Sequence, residues 1–263
     1  MRAVILAAGR GGRLRGVAGD RPKCLARVGA RTLLERQIQS LRACGADEIT
    51  VVAGYRAAAV RAICGPGVEI VHNSRYATTN SLYSLWLARD LLANGFVVLN
   101  ADVLFHPQIL ADLISARYDD ALLMAARNGD EPFSDEEMKV QVRRGRVIDI
   151  DKQMAPLQAD GENVGIVKFG RDGAAVMVEV LNELVGAGGS REWLPRAFGA
   201  FVERRPLHVI DTRGFPWIEI DFPEDYWRAC SEVLPAIEAA AATSAPSPSV
   251  RTSEQLGRTL RHV

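Results

Sequence analysis

The sequence predicts an α/β protein: a mostly parallel sheet flanked by helices, joined to a small part built of mixed strands. Three observations predict this. Strand-like and helix-like stretches alternate through the first hundred residues with little loop between them. The first strand runs straight into a glycine-rich turn, and α/β sheets present ligands at the carboxyl ends of their strands. The middle of the chain then turns to strands with little helix between them.

Taken in order, "RAVILAA" (residues 2–8) reads as a buried strand, and "TLLERQIQSLRACG" as an amphipathic helix. In that helix Leu33, Leu34, Ile38 and Leu41 share one face, and Gly45 supplies a stop. "EITVVAGY" is a second strand, "RAAAVRAIC" a weaker helix and "VEIVHN" a third strand. "SLYSLWLARDLLANG" is a third helix and "FVVLNAD" a fourth strand. This βαβαβαβ order implies a mostly parallel sheet covered on both faces. Beyond it, "DALLMAAR", "MKVQVRRGRVIDIDK" and "NVGIVKFG" are strands, the second folding into a hairpin at Arg144–Gly145. A helix over roughly 172–186 and the strand "PLHVIDTRG" follow. "FPEDYWRACSEVLPAIEAAAA" is a final helix, started at Pro223 and Glu224 and bent or interrupted by Pro235. Residues 1–240 thus form one domain. Residues 241–263, with the linker-like "TSAPSPSVRTSEQ", form a flexible tail.

Composition narrows the partners. Hydrophobic residues make up 48% of the chain and charged residues 24%, as in a globular protein with a substantial core. Lysine plus arginine equals aspartate plus glutamate at 32 each, which argues against nucleic acid as a partner. Cys24, Cys44, Cys64 and Cys230 are too dispersed for a metal knuckle and read as small buried thiols. No apolar run approaches membrane-helix length, and no leader pattern opens the chain, so a cytoplasmic protein without a membrane partner is expected. His72, His106, His208 and His262 form no triad.

The chemistry begins in "VILAAGRGGRLRG" (4–16). Glycines bare the backbone N–H groups, which can then close on phosphate oxygens. The spacing is neither the GxxxxGK[ST] of a P-loop nor GxGxxG. Arg13 and Lys23 stand beside those N–H groups, as a triphosphate would require, and Pro22 fixes φ ahead of Lys23.

"LAAGRGGRL" followed by "RPKCLARVGARTLLERQIQSL" resembles the signature of the nucleotidyltransferase superfamily, built on a GT-A-like, Rossmann-related fold. The resemblance continues to about residue 235 through "NSLYSLWLA", "LNADVLF", "EMKVQV", "GENVGIVKF" and "WIEIDFPEDY". It is closest to the phosphocholine cytidylyltransferase branch, beside the inositol-phosphate and sugar-1-phosphate branches. It implies a Rossmann-like fold with a small acceptor-binding subdomain. The implied reaction joins an NMP, from CTP above all, to a small phosphate monoester such as phosphocholine, with release of pyrophosphate. Attack on the α-phosphorus is in line, so catalysis is positioning and charge neutralisation.

The same resemblance implies roles for residues. Arg13 and Lys23 act on the phosphates. Ala7, Ala8, Gly9, Gly11, Gly12, Asn80 and Ser81 seat the nucleotide, although Thr79 or Asn80 also reads as a helix N-cap. Asp102 and Asp221 hold Mg²⁺, a hard cation that prefers carboxylate oxygens. A strand-end turn for Asp102 and an N-cap for Asp221 are the plainer readings. Glu219 assists the metal or the acceptor. On the acceptor side stand Lys152, with Lys139 as a second candidate. Trp217, Glu219, Glu162 and Trp86 offer aromatic faces and carboxylates for a quaternary ammonium. Glu162, Asn163 and Asp151 would suit the hydroxyls of an inositol or sugar, and the sequence does not separate these acceptors. A sugar-1-phosphate nucleotidyltransferase is therefore the near rival, and a silent nucleotide-binding regulatory module the far one. Oligomeric state is not readable.

Overall fold

The computed structural model describes residues 1–127 and 133–244. In chain order its main strands are β1 (Arg2–Ala7), β2 (Glu48–Ala53), β3 (Val68–His72), β4 (Phe96–Asn100), β5 (Val103–Phe105) and β6 (Ala121–Ala126). There follow β7 (Lys139–Arg143), β8 (Arg146–Asp151), β9 (Gly161–Phe169), β10 (His208–Asp211) and β11 (Trp217–Glu219). The longer helices are α1 (Leu33–Ala43), α2 (Ala57–Cys64), α3 (Ser81–Leu87), α4 (Pro107–Ser115), α5 (Arg171–Gly186) and α6 (Pro195–Val202). The chain closes on α7 (Pro223–Arg228) and α8 (Leu234–Ser244).

The central sheet has nine strands in the order β3-β2-β1-β4-β9-β6-β10-β8-β7. Its first four are parallel, as the alternating pattern requires, and β9 and β8 run against the rest. The mixed strands continue this same sheet, and β7 also pairs with β9. A separate two-stranded ribbon joins β11 to β5.

The period of two along each strand sorts its side chains into two cores. Ala3, Ile5 and Ala7 of β1 join Ile49, Val51 and Ala53 of β2 in one core, with Leu34, Ile38 and Leu41 of α1. Val4 joins Val52, Val98 and Phe169 in the other, with Leu82 and Leu85 of α3 and Met177 and Leu181 of α5. A third, smaller core holds Leu14, Val28, Ile220 and Leu234, seating α8 on the hairpin that pairs Arg27–Val28 with Arg31–Thr32.

Local chemistry sets the element ends. Thr32 accepts from Glu35 N at 3.2 Å and donates its own N–H to Glu35 Oε2 at 2.7 Å, a capping box opening α1. The expected hairpin turn has positive φ at both Arg144 and Gly145, the twist that tight hairpins favour. The helix expected over 81–95 is shorter: it stops at Leu87 and tightens into a 3₁₀ turn, Arg89–Leu91, that delivers the chain to β4. The final helix is interrupted as expected, by a π turn at Ala229–Val233 that ends two residues before Pro235, which has no N–H to donate. Of the tail expected over 241–263, residues 245 onward lie outside the described residues. No helix among the described residues is long and apolar enough to cross a membrane.

Candidate active site

A cleft of about 320 Å³ opens at the carboxyl ends of β1 and β4. Ala8, Gly9 and Arg13 line one wall, Asn80 and Ser81 a second, and Asp102, Glu219 and Asp221 the floor towards α7. Lys152 borders the opposite side with Trp193.

The glycine loop is pinned at three points. Leu14 is fully buried in the third core and donates its N–H to Gly11 O at 3.1 Å. Ala8 O accepts from Tyr55 N at 3.0 Å. Further along, Asp20 accepts from Tyr55 OH at 2.5 Å and pairs with Arg56. Gly11 has φ +64, and a Cβ built there would lie 2.5 Å from Lys23 Cβ, so the loop closes directly on the lysine. Gly9 borders the cleft with open space where a side chain would stand, while Gly12 is exposed. Ala7 is buried in the sheet core behind the cleft wall.

Lys23 is aimed by its backbone. Pro22 O accepts from Leu25 N at 2.9 Å, and Cys24 and Leu25 are buried, which leaves the Lys23 side chain one direction. Its Nζ lies 3.0 Å from Asp102 Oδ2 and 2.5 Å from Asp221 Oδ1. Burial works against the ammonium, but the two carboxylates outweigh it and hold Lys23 above its usual range. Asp102 sits in the turn between β4 and β5. Gln37, itself buried, braces that turn by donating to Asn100 O at 2.8 Å and Val103 O at 2.9 Å. Asp221 is not the cap of α7: Asp225 takes that role, accepting from Asp221 N at 2.9 Å and Phe222 N at 2.8 Å. The Asp221 carboxylate is thereby left to face the lysine. Glu219 stands half-buried beside both aspartates, and desolvation followed by their repulsion raises it to about 8.

The donor set fits a hard divalent cation. Asp102 Oδ1 is buried without a hydrogen-bond partner, so its lone pairs are free on a carboxylate that shares Lys23 with Asp221. No group of three or more His, Cys, Asp or Glu side chains is set for a metal among the described residues. One or two carboxylates completed by water and phosphate oxygens is the habit of Mg²⁺. Asp102 and Asp221 are the residues that would hold it.

Other expected residues fall less evenly. Asn80 caps α3 through its own side chain, accepting from Ser81 N at 2.8 Å, and still borders the cleft. Ser81 Oγ accepts from Leu194 N at 2.8 Å, fastening the segment that carries Trp193. Lys152 is brought in, its Nζ 4.9 Å from the Trp193 ring and 3.5 Å from Glu136. Glu162 and Trp217 do not line the cleft. Trp217 is partly buried against the first core. Glu162 is half-buried, and desolvation and Glu137 raise it to about 8. Trp86 donates to Asn182 at 2.9 Å and stacks on Tyr83, away from the site. Lys139 is fully buried and donates to Lys152 O at 2.8 Å.

The structure adds lining residues the sequence reading passed over: Asn73, Tyr76, Asn100, Glu136 and Trp193. Asn73 stands at the carboxyl end of β3, where the strand-end rule points. It is buried and donates at 3.1 Å to both Thr79 Oγ1 and Ser84 Oγ, bracing the wall that carries Asn80. Glu136 lies in the acidic run "SDEEM", which reads as a solvated surface. Nothing local marks Trp193.

A glycine-rich βα turn closing on a lysine held between two strand-end carboxylates defines a phosphate-handling α/β protein of the nucleotidyltransferase class. The chain belongs to the family of MobA-like NTP transferase domains, whose model matches residues 3–210. It is 34% identical over 232 residues to the bifunctional IPC transferase and DIPP synthase of Rubrobacter xylanophilus, covering 85% of this chain and 50% of that protein. It is 37% identical over 119 residues to the choline-phosphate cytidylyltransferase of Streptococcus pneumoniae, covering 45% of this chain and 52% of that protein. The chain thus spans about half the length of these curated relatives. The solved structure of the CTP:phosphocholine cytidylyltransferase from Streptococcus pneumoniae matches with a TM-score of 0.73 at 25% identity, over 86% of this chain and 96% of that one.

Proposed function

We propose that this protein is a Mg²⁺-dependent cytidylyltransferase that moves CMP from CTP to a small phosphate monoester such as phosphocholine, releasing pyrophosphate. The observation that carries the reading is the Lys23 ammonium seated between Asp102 and Asp221 beside the glycine loop. Lysine charge, bare N–H groups and two carboxylates at one strand-end cleft are what a triphosphate needs.

Backbone N–H groups around Ala8 and Gly9 and the Asn80–Ser81 wall hold the nucleotide. Arg13 and Lys23 turn to the phosphates and stabilise the charge that develops there. Mg²⁺, held by Asp102 and Asp221, would supply further neutralisation of the triphosphate. An oxygen of the acceptor phosphate attacks the α-phosphorus, a new P–O bond forms, and the bond to the β-phosphate oxygen breaks with departure of pyrophosphate. The acceptor is already ionised at neutral pH, so no strong base is required. None of the cleft-lining residues is a histidine, in keeping with that economy.

CTP as donor is supported by the names of the pneumococcal relatives. An acceptor with a cationic head is supported by Trp193, whose aromatic face and half-exposed ring flank the cleft beside Met138, with Glu136 as a carboxylate. Asn163, also at the cleft, favours the second reading, a polyhydroxylated acceptor such as an inositol or sugar phosphate. The test is pyrophosphate release with Mg²⁺ across CTP, UTP, ATP, GTP and dTTP, each against phosphocholine, inositol phosphate, glycerol phosphate and sugar-1-phosphates. Release with CTP and phosphocholine bears out the first reading. Release with another NTP and a sugar phosphate moves the protein to the sugar branch, and silence throughout refutes the proposal.

A further inference from the structure

One carboxylate oxygen spans the two halves of the cleft. Glu136 Oε2 lies 3.4 Å from Arg13 Nη1 and 3.5 Å from Lys152 Nζ. Arg13 comes from the glycine loop and Lys152 from the turn after β8. Each cation also rests on an aromatic face, Arg13 at 4.9 Å from the Phe222 ring and Lys152 at 4.9 Å from the Trp193 ring.

The bridge stands on a built support. Lys139 is fully buried, and its Nζ donates to Lys152 O at 2.8 Å and to Glu137 O at 3.5 Å. One buried ammonium therefore ties together the backbones that carry Glu136 and Lys152. A fully buried lysine is costly unless its donors are used, and here they are used on these two carbonyls.

A glutamate carboxylate offers the same hydrogen-bond acceptors as a phosphate with less charge. We infer that Glu136 is an internal phosphate surrogate that couples the nucleotide and acceptor subsites. The inference rests on the reading in which Arg13 meets nucleotide phosphate and Lys152 meets acceptor phosphate. While both ligands are absent, Glu136 satisfies both cations. A phosphate that takes either cation brings negative charge against the Glu136 carboxylate and drives it off both, so the second ligand meets a cation already released. Linkage makes this reciprocal: each ligand tightens the other by one factor. Exposed ion pairs of this kind shift an equilibrium by no more than about fivefold, so the coupling due to Glu136 is roughly three- to fivefold.

Calorimetric titration of the full chain tests it, with Mg²⁺ and with α,β-methylene-CTP and inorganic phosphate as probes that cannot react. The analogue is titrated with and without phosphate in wild type, Glu136→Gln, Arg13→Ala and Lys152→Ala. The expected result is that Glu136→Gln binds each probe alone more tightly. Its coupling factor, the ratio of analogue Kd without and with phosphate, is also about three- to fivefold smaller than that of wild type. Equal affinities and equal coupling in wild type and Glu136→Gln overturn the inference. If Arg13→Ala leaves analogue binding intact or Lys152→Ala leaves phosphate binding intact, the subsite assignment fails, and the inference falls with its premise. Melting curves of Glu136→Gln serve as the control for fold, since the side chain is half exposed and its loss moves no core contact.

Discussion

Replacing Gly11 by alanine tests whether the glycine loop exists to position Lys23. Two costs are readable from the geometry. At φ +64 a residue with a Cβ is strained by about 1 kcal/mol. The new Cβ would also stand 2.5 Å from Lys23 Cβ, over 1 Å inside the ordinary contact of roughly 3.5–4 Å. Lys23 cannot retreat easily, because Pro22 fixes the chain before it and Cys24 and Leu25 are buried after it. Overpacking of this kind costs about 1–3 kcal/mol, giving a total loss of stability on the order of 2–4 kcal/mol. If the strain moves the ammonium by about 1 Å, turnover falls roughly a hundredfold. The assay pairs urea denaturation with pyrophosphate release. Gly12→Ala is the internal standard, since a Cβ there meets nothing within 4 Å; it should stay within about 0.5 kcal/mol of wild type. Gly11→Ala matching Gly12→Ala in stability and turnover would refute the close-approach argument. Lost stability with intact turnover would show that Lys23 keeps its place and that the loop matters for folding alone.

Three further outcomes follow from the same geometry. Asp102→Asn should abolish activity across a Mg²⁺ titration, because it removes charge from the carboxylate whose Oδ1 is unpartnered; full activity at ordinary Mg²⁺ would place the metal elsewhere. Glu162 is raised to about 8 against 4.5 for a free glutamate, so the folded state binds its proton more tightly. That contribution is full below about pH 4.5 and declines as pH rises to 8, by up to about 1.4 kcal/mol per unit. Thermal melts of Glu162→Gln from pH 5 to 9 should therefore be flatter than wild type by about that slope, and parallel curves would sink the assignment. Arg205→Ala leaves the buried Asp120 without the Nε that lies 2.5 Å from it, though Gly170 N remains at 3.0 Å. The urea midpoint should drop by an amount equal to about 2–3 kcal/mol with kcat/KM unchanged, whereas an unchanged midpoint would mean that the pair contributes nothing.

The parts of this protein that the sequence announced are those in which local pattern and local chemistry coincide. β1 is apolar on both faces, its glycines follow at once, and Pro22 precedes the lysine, so strand, loop and cation could be placed without knowing the rest of the chain. Asp102 and Asp221 lie far apart in sequence. Residue type alone left each as a turn or cap, and only family resemblance paired them before the geometry did. β9 shows why the acceptor wall resisted. A simple alternation cannot say which of Glu162 and Asn163 faces the cleft, because Gly165 at φ +81 accompanies a register shift between Asn163 and Val167. A slip of one residue reverses every side chain beyond it, and Asn163 lines the cleft while Glu162 does not. α4 and α6 give little signal beyond the Pro107 and Pro195 that open them, since each is short and its apolar face is completed only by the sheet. Glu136 and Trp193 owe their places to long-range packing, which no local signal carries.

Under the proposed function, the charges of the site explain why it need not be strongly basic to take a triphosphate. Asp102, Asp221 and Glu219 stand together; burial first, and then the charge of the two aspartates, holds Glu219 up to about 8, while Lys23 pairs with both aspartates. Lys23 is therefore structural in the free protein before it is chemical. Every cation assigned here to a phosphate has a carboxylate partner in the free state: Lys23 has Asp102 and Asp221, and Arg13 and Lys152 share Glu136. Binding then becomes exchange of one anion for another, with little net gain from any single phosphate. On the proposed reading an anion that reaches one cation would displace a carboxylate for nothing more, while a nucleotide and an acceptor together would replace all of them and leave Asp102 and Asp221 open to a metal. Discrimination against lone phosphates would follow from that exchange, and the formal net charge of zero adds no general attraction to blur it.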